Sequence, residues 1–332
     1  MNKNIKVCIL GTGSMGTSLA RLVSNNGYEV KMWGIDKEAV DNINNYHENK
    51  KFLPEIKLNN KTTSTLQLSE ALQDSKVVIV AVPSQVVDKV FSEVKLYLQP
   101  DQIILSASKG IEMVSGLTIS NVIKKYLPHT EYHNLAVLMG PLFASELSTD
   151  VPTVGLIAAP KIATFKILKN ILQSPTFFVR FSSDVLGAEL GGALKNVYAI
   201  ILGVCDGLGY GWNTKSAAMT AAVKEMALVG QYLGGKKETF YGLAGLGDLL
   251  TTGFGEKSRN RRFGEKICSG SKIEDVIKDI GQVVEGASTV KVVCRLLEGS
   301  NKKTPLLNSV AELVNDHKDP CQMMHKILEK VS

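Results

Sequence analysis

Apolar positions follow two different rhythms along the chain. Up to about residue 182, short and nearly continuous apolar runs alternate with helical stretches. IKVCIL (5–10) leads into the turn GTGSMG and a helical pattern from Met15 to Asn25. YEVKMW (28–33) then ends at Trp33, and GIDKEAV follows, so that Asp36 stands at the end of a second strand. Strand, glycine turn, helix and strand make a β-α-β unit. KVVIVAV (76–82), QIILSAS (102–108) and LAVLMG (135–140) are apolar at almost every position, as strands covered on both faces of a parallel sheet must be. TVGLIA (153–158) and TFFVRF (176–181) close the series, and beyond Ser183 the period becomes helical and stays so. The pattern predicts an α/β domain with a doubly wound, mostly parallel sheet over residues 1–183, followed by an all-α domain over 184–332.

The glycine turn carries the first chemistry. Gly11, Gly13 and Gly16 fall in the order G-x-G-x-x-G between a predicted strand and helix, with an acid after the next strand. In that context Gly11 permits a tight turn, Gly13 lets a pyrophosphate approach bare backbone, and Gly16 allows close helix-sheet packing. The phosphates would rest on the helix N-terminus, where unpaired N–H groups and the helix dipole favour negative charge. Other strands hand their C-terminal ends to loops carrying Ser84, Lys109, Gly140 and Ala144, and in open parallel sheets that edge binds ligands. Position alone leaves Lys109 equally open to being an ordinary loop lysine.

The helical half raises a question at ELGGALKNVYAII (189–201), where Lys195 stands among Leu190, Leu194, Val197 and Ile201 and two glycines precede it. Each interior glycine costs about 1 kcal/mol relative to alanine, so a ligand or another backbone should approach that face. Helical side chains lean toward the N-terminus, which lays the lysine stem over Gly191 and Gly192. A desolvated ammonium there suits proton transfer; glycine-mediated packing with a snorkelling lysine is the alternative. The stretch GLAGLGDLLTTGFGEKSRNRRFGEK (242–266) adds Asp248, Thr251, Thr252, Ser258, Arg259 and Asn260. Arg259 and Asn260 offer planar donors suited to a phosphate, although Asp248 could equally be a helix cap and the arginines a solvated face. Glu285, in GQVVEGAST, reads as structural when taken alone.

Composition changes this picture little. The chain has 332 residues, is 44% hydrophobic and 21% charged, and carries a net charge of +6, ordinary for a globular protein of two domains. The charge is too mild and the run 258–262 too short, with no aromatic platform, to point to nucleic acid. Five cysteines at 8, 205, 268, 294 and 321 form no C-x-x-C pair and read as buried free thiols. His47, His129, His133, His317 and His325 lack ligand spacing, so no catalytic metal is expected. The N-terminus lacks the pattern of a signal peptide and no run approaches the ~20 apolar residues of a membrane span. A cytoplasmic enzyme is the expectation.

Taken together, GTGSMGTSLA, SKG (108–110), the GP-x-FA segment (140–144), ELGGALKNVYAI, DGLG (206–209), ETFYGLAGLGDLLTT, SRNRRFG and IGQVVEG resemble the bacterial-type NAD(P)-dependent glycerol-3-phosphate dehydrogenase family. The resemblance runs from about residue 5 to the end of the chain and implies an N-terminal Rossmann domain with a helical C-terminal domain. It implies that Lys195 is the general acid/base, oriented or tuned by Asp248. Lys109, Gly140, Asn196, Asp248, Thr252, Ser258, Arg259 and Asn260 are implied substrate contacts. Arg259 and Glu285 are also implied cofactor contacts, and they join Gly11, Gly13, Gly16 and Asp36 from the glycine-turn motif and Ser84, Lys109 and Ala144 from the strand ends, with Ser14, Met15 and Val283 completing the candidate cofactor residues. The substrate pair would be dihydroxyacetone phosphate and sn-glycerol 3-phosphate, the latter supplied to phospholipid synthesis, and the assembly a homodimer.

Two departures stand out. Leu142 occupies a position where the family usually has a small hydroxyl residue. Many bacterial members carry Arg or His after the second strand, where this chain has Trp33-Gly34-Ile35-Asp36. Asp36 can accept hydrogen bonds from the ribose hydroxyls of NAD and would repel the 2′-phosphate of NADP, so NAD preference or dual use is expected, with Lys31 and Lys37 as cations that could weaken the preference. A 6-phosphogluconate or β-hydroxyacid dehydrogenase, whose lysine and asparagine are spaced Lys-x-x-Asn, and a non-catalytic nicotinamide sensor are the competing readings. Here Asn196 directly follows Lys195, and the proton donor and phosphate grip are both present.

Overall fold

The computed structural model describes residues 5–281, 283–316 and 318–329; His317 lies outside them. The chain forms two compact units, one of residues 1–109 and 118–185, the other of residues 110–117 and 186–332.

In the first unit the elements run β1 (Lys6–Leu10), α1 (Ser14–Asn25), β2 (Glu29–Trp33), α2 (Lys37–Tyr46), β3 (Glu48–Asn49), β4 (Leu53–Lys57), β5 (Thr62–Thr65), α3 (Leu68–Leu72), β6 (Ser75–Val80), α4 (Val87–Val94), β7 (Ile103–Ser106), α5 (Ile119–Lys124), β8 (Leu135–Met139), α6 (Ala144–Ser148), β9 (Thr153–Ala158), α7 (Ile162–Leu172) and β10 (Phe177–Ser182). The sheet order is β10-β9-β8-β7-β6-β1-β2-β5, parallel except between β8 and β9. Strand order reverses between β1 and β6, so the glycine turn after β1 and Ser84 beyond β6 flank the switch point where open sheets bind ligands. The apolar runs become the central strands: Val7, Ile9, Val77, Ile79, Leu105, Ala136 and Leu138 are buried in one core. The pattern predicted neither β5 nor the β3–β4 hairpin. Thr62-Thr63-Ser64-Thr65 has strand propensity without apolar residues, because β5 is an edge strand, and the hairpin buries only isolated side chains such as Leu53.

The second unit is helical: α8 (Val185–Gly207), α9 (Trp212–Tyr232), α10 (Lys237–Phe240), α11 (Asp248–Phe254), α12 (Arg259–Ile267), α13 (Ile273–Ile280), α14 (Glu285–Leu296), α15 (Pro305–Asp316) and α16 (Pro320–Glu329), with a single π-helical turn at Leu243–Gly247. Helix α8 is buried from Gly187 to Cys205. It is long and apolar enough to cross a membrane, but 89% of its most apolar window lies inside the unit, which marks it as a core helix. Residues 110–117, counted above within the first domain, belong to this core instead: Ile111 is buried in it, and Arg295 Nη2 donates to the carbonyl of Met113 at 2.7 Å. The cysteines are free but not uniformly buried, since Cys268 and Cys294 are half-buried and Cys321 exposed. Burial pushes the Cys205 thiol up to about 12, which leaves it protonated and inert at neutral pH.

The cost of glycine in α8 is offset by backbone contact. A Cβ on Gly191 would lie 2.6 Å from the carbonyl oxygen of Ala244 in the π-helical turn. Gly191→Ala would gain about 1 kcal/mol of helix propensity but force that turn away, at about 1–3 kcal/mol. The expected net result is a lower urea midpoint with unchanged slope; a stabilised variant would mean that the turn yields freely.

Glu225 on α9 caps α15. Its carboxylate accepts the N–H groups of Leu306 at 2.9 Å and Leu307 at 2.7 Å and the hydroxyl of Tyr198 at 3.3 Å. Burial outweighs these bonds and pushes the carboxyl up to about 7 from an ordinary 4.5. The folded state therefore holds a proton that the unfolded state releases, so stability is greatest below about 4.5, falls as pH rises to about 7 and is level beyond. Unfolding measured against pH should show the wild type losing on the order of 3 kcal/mol relative to Glu225→Gln across that window. Parallel curves would refute the assignment.

Candidate active site

In the first unit the dinucleotide turn has the backbone expected of it. Gly11 adopts φ +118° and a Cβ there would sit 2.7 Å from the carbonyl oxygen of Ala81, while a Cβ on Gly16 would strike the carbonyl of Gly11. Gly13 differs, because a Cβ on it would meet nothing within 4 Å. No packing demand explains glycine there, and the backbone is open to close approach. Gly13 is also the N-cap of α1 and has no side chain to satisfy the amides of the first turn, which carries no acidic residue. This leaves a helix N-terminus suited to a pyrophosphate, with Ser14 and Met15 in its first turn.

At the sheet edge the structure brings Lys109 and Gly140 together, with Lys109 Nζ donating to the Gly140 carbonyl at 2.9 Å. Ser84 is buried and accepts a hydrogen bond from Gln85 Nε2 at 3.2 Å. Ala144 opens α6 and its carbonyl accepts from Ser18 Oγ at 2.7 Å, tying that loop to α1. Leu142 is buried in the apolar core, where it supplies packing and no polar atom. Asp36 is the N-cap of α2, accepting the N–H of Ala39 at 3.1 Å, and its ion pair is with Lys51 rather than with Lys31 or Lys37.

In the second unit Lys195 is buried and paired. Its side chain is 9% exposed and that of Asp248 2%, with 2.9 Å between Nζ and Oδ1. Lys195 also donates to Thr252 Oγ1 at 2.6 Å, and Thr252 donates its own proton to the Asp248 carbonyl at 2.7 Å, so the hydroxyl presents a lone pair to the ammonium. The π-helical turn packed on Gly191 delivers Asp248 to α11, where Gly247 is the N-cap. The helix-cap alternative for Asp248 is therefore not what the structure contains. Its carboxylate lies against Lys195, four residues along α8 from the glycine that admits the turn.

A carboxamide chain runs beside this pair. Asn196 Nδ2 donates to Glu285 Oε2 at 3.0 Å, Asn260 Nδ2 donates to Asn196 Oδ1 at 2.9 Å, and the N–H of Gly286 donates to Asn260 Oδ1 at 2.8 Å. Each carboxamide thus spends one of its two N–H donors on this chain. Ser258 caps α12 by accepting the N–H of Arg261 at 3.3 Å, and half-buried Arg259 is the first residue of that helix. Val283 is exposed. The basic run 258–262 is not one solvated face, because Arg261 pairs with Asp206, which also binds buried Lys215 at 2.6 Å. That cluster went unread in the sequence: Asp206 lies in DGLG, and nothing in its spacing to Lys215 or Arg261 marks a triad. Lys51 was missed because no element was predicted around it. Among the described residues no group of three or more His, Cys, Asp and Glu side chains is placed to hold a metal ion.

Comparison with known proteins places this geometry in a family. Residues 6–164 match the family described as NAD-dependent glycerol-3-phosphate dehydrogenase N-terminus, and residues 184–325 the corresponding C-terminus. A glycerol-3-phosphate dehydrogenase, NAD(P)+, of Syntrophomonas wolfei is 39% identical over 88% of this chain and 85% of its own length. One of Citrifermentans bemidjiense is 36% identical over 98% of this chain and 97% of its own. The crystal structure of glycerol-3-phosphate dehydrogenase from Coxiella burnetii superposes with a TM-score of 0.92 at 30% identity, over 99% of this chain and 100% of that one. The chain belongs to the NAD-dependent glycerol-3-phosphate dehydrogenase family.

Proposed function

We propose that this chain is an oxidoreductase that reduces dihydroxyacetone phosphate to sn-glycerol 3-phosphate with NADH or NADPH, and runs the reverse reaction. The observation that carries the reading is the buried Lys195 ammonium held by Asp248 and Thr252. Hydride addition to a ketone develops charge on the oxygen, and a positioned cation with a transferable proton is what that oxygen needs. When bound, the nicotinamide supplies or receives the hydride at the substrate carbon. Lys195 Nζ gives its proton to the carbonyl oxygen in the reducing direction and takes the hydroxyl proton in the other. Asp248 stabilises the charged lysine, so the neutral amine left after donation regains a proton from solvent. Thr252 fixes the direction of Nζ.

Within the second unit, phosphate recognition falls to Arg259, to the unspent N–H groups of Asn196 and Asn260, and to the first-turn amides beyond the Ser258 cap. Arginine offers two parallel donors to a phosphate, and the helix N-terminus adds a favourable dipole. In the first unit the N-terminal turn of α1 takes the dinucleotide's pyrophosphate, with Met15 in that turn and Ser84 and Ala144 at the strand ends of the same sheet. Asn196 following Lys195 directly, and its bond to Asn260, favour this reading over the Lys-x-x-Asn dehydrogenases. A non-catalytic sensor would have no use for an oriented proton donor. A cytoplasmic homodimer serving glycerophospholipid synthesis fits the family and is proposed on that ground.

Loss of NADH absorbance with dihydroxyacetone phosphate should proceed in the wild type and fall by about 100-fold or more in Lys195→Ala, with the fold verified by circular dichroism. Absence of wild-type turnover with either cofactor would remove the dehydrogenase reading. An unimpaired variant would return Lys195 to packing alone.

A further inference from the structure

Lys51 lies in the turn between β3 and β4, and that turn is pinned on both sides to the glycine-rich segment. Asn49 is fully buried, and its Nδ2 donates to the carbonyl of Thr12 at 2.7 Å and to Thr17 Oγ1 at 2.8 Å. Beyond Lys51, the carbonyl of Phe52 accepts from Ser14 Oγ at 2.6 Å. The backbone carrying Lys51 is therefore fixed relative to the turn that receives the pyrophosphate. From there Lys51 Nζ reaches Oδ2 of Asp36, while Oδ1 takes the Ala39 N–H. Lys51 and that N–H hold the Asp36 carboxyl below its ordinary range, so it stays ionised at neutral pH.

An acid at this position accepts a hydrogen bond from the 2′-hydroxyl of NAD and repels the 2′-phosphate of NADP. A lone Asp36 would impose that choice, but an Asp36–Lys51 pair has no net charge. The geometry points to Lys51 as the residue that sets cofactor choice, by cancelling the Asp36 charge and by offering its own ammonium to the 2′-phosphate. This rests on the dinucleotide-binding reading of the first unit. The lysine side chain is about half exposed (47%) on a flexible stem, so the ammonium can turn from the carboxylate to a phosphate while the hydrogen-bonded hairpin stays in place. With the 2′-hydroxyl, Asp36 accepts and Lys51 remains its partner. With the 2′-phosphate, Lys51 donates to an oxygen beside the carboxylate. The consequence is use of both cofactors by a chain whose second strand ends in an acid.

The test is direct titration of NADH and NADPH, read by nucleotide fluorescence without substrate, on the wild type, Lys51→Ala, Lys51→Arg and Asp36→Asn. Asparagine also caps helices, so the last variant retains the start of α2. The wild type should bind the two nucleotides with dissociation constants within about tenfold. Lys51→Ala should weaken NADPH by about tenfold or more relative to NADH, and Lys51→Arg should restore the ratio. Asp36→Asn should shift the ratio toward NADPH. The discrimination of Lys51→Ala should shrink in high salt, because an exposed charge is screened. An equal loss for both nucleotides in Lys51→Ala, or no change, would overturn the assignment and leave Lys51 a hairpin residue, with wild-type binding intact. A wild type that binds neither nucleotide would overturn the dinucleotide reading together with it.

Discussion

A lysine ammonium and an aspartate carboxylate placed together out of water form the constraint on which the second unit depends. Removing either charge from solvent costs several kcal/mol unless the partner is close and the remaining hydrogen-bonding capacity is filled. Several otherwise unrelated features follow from that requirement. Asp248 has to approach α8 closely, which the glycine at 191 permits and the π-helical turn delivers. Thr252, one helical turn beyond Asp248, contributes a lone pair to the ammonium. Asn196, next along α8, is fixed by Glu285 and Asn260, so the residue beside the ammonium is held as firmly as the ammonium itself. Catalytic groups are useful only when their supports have settled their geometry beforehand.

How much of this was legible in the sequence depended on whether a residue's role was written locally. The central strands announced themselves because burial on both faces demands unbroken apolar runs. The glycine turn did so because its spacing obeys the backbone geometry of one turn. Lys195 drew attention because a charge among Leu190, Leu194 and Val197 contradicts its surroundings. What the sequence hid is non-local. The partner that offsets Gly191 is a carbonyl about fifty residues away, and the Asp206–Lys215–Arg261 cluster joins three helices. Strand β5 and the β3–β4 hairpin were invisible for a different reason. At an edge, pairing is carried by backbone and a few side chains, so no apolar period is needed.

The same contrast separates the ends of the proposed cofactor site. Around Gly13 the chain presents bare backbone, and the lack of a neighbour for a Cβ is itself the signal. Around Asp36 the decisive feature is a side-chain pair, visible only once Asn49 and Ser14 have folded the hairpin back on the glycine turn. Backbone recognition of this kind tolerates much variation in sequence, whereas recognition by a charged pair can change with one substitution. A shared family therefore says more about the pyrophosphate end than about the ribose end.

The first unit is interrupted, because residues 110–117 leave it to be buried with helices that begin seventy positions later. Glu112 folds this excursion on itself by accepting the N–H groups of Val114 and Ser115, and Gly116 turns with φ +71° against Leu296. The units are consequently not separable by a single cut. A fragment ending at 183 would carry Ile111 with none of the core that covers it, and the complementary fragment would present that core with a hole. Transplanting either half into a chimera would thus require the eight-residue excursion to travel with the helices, so the natural unit of exchange is discontinuous in sequence.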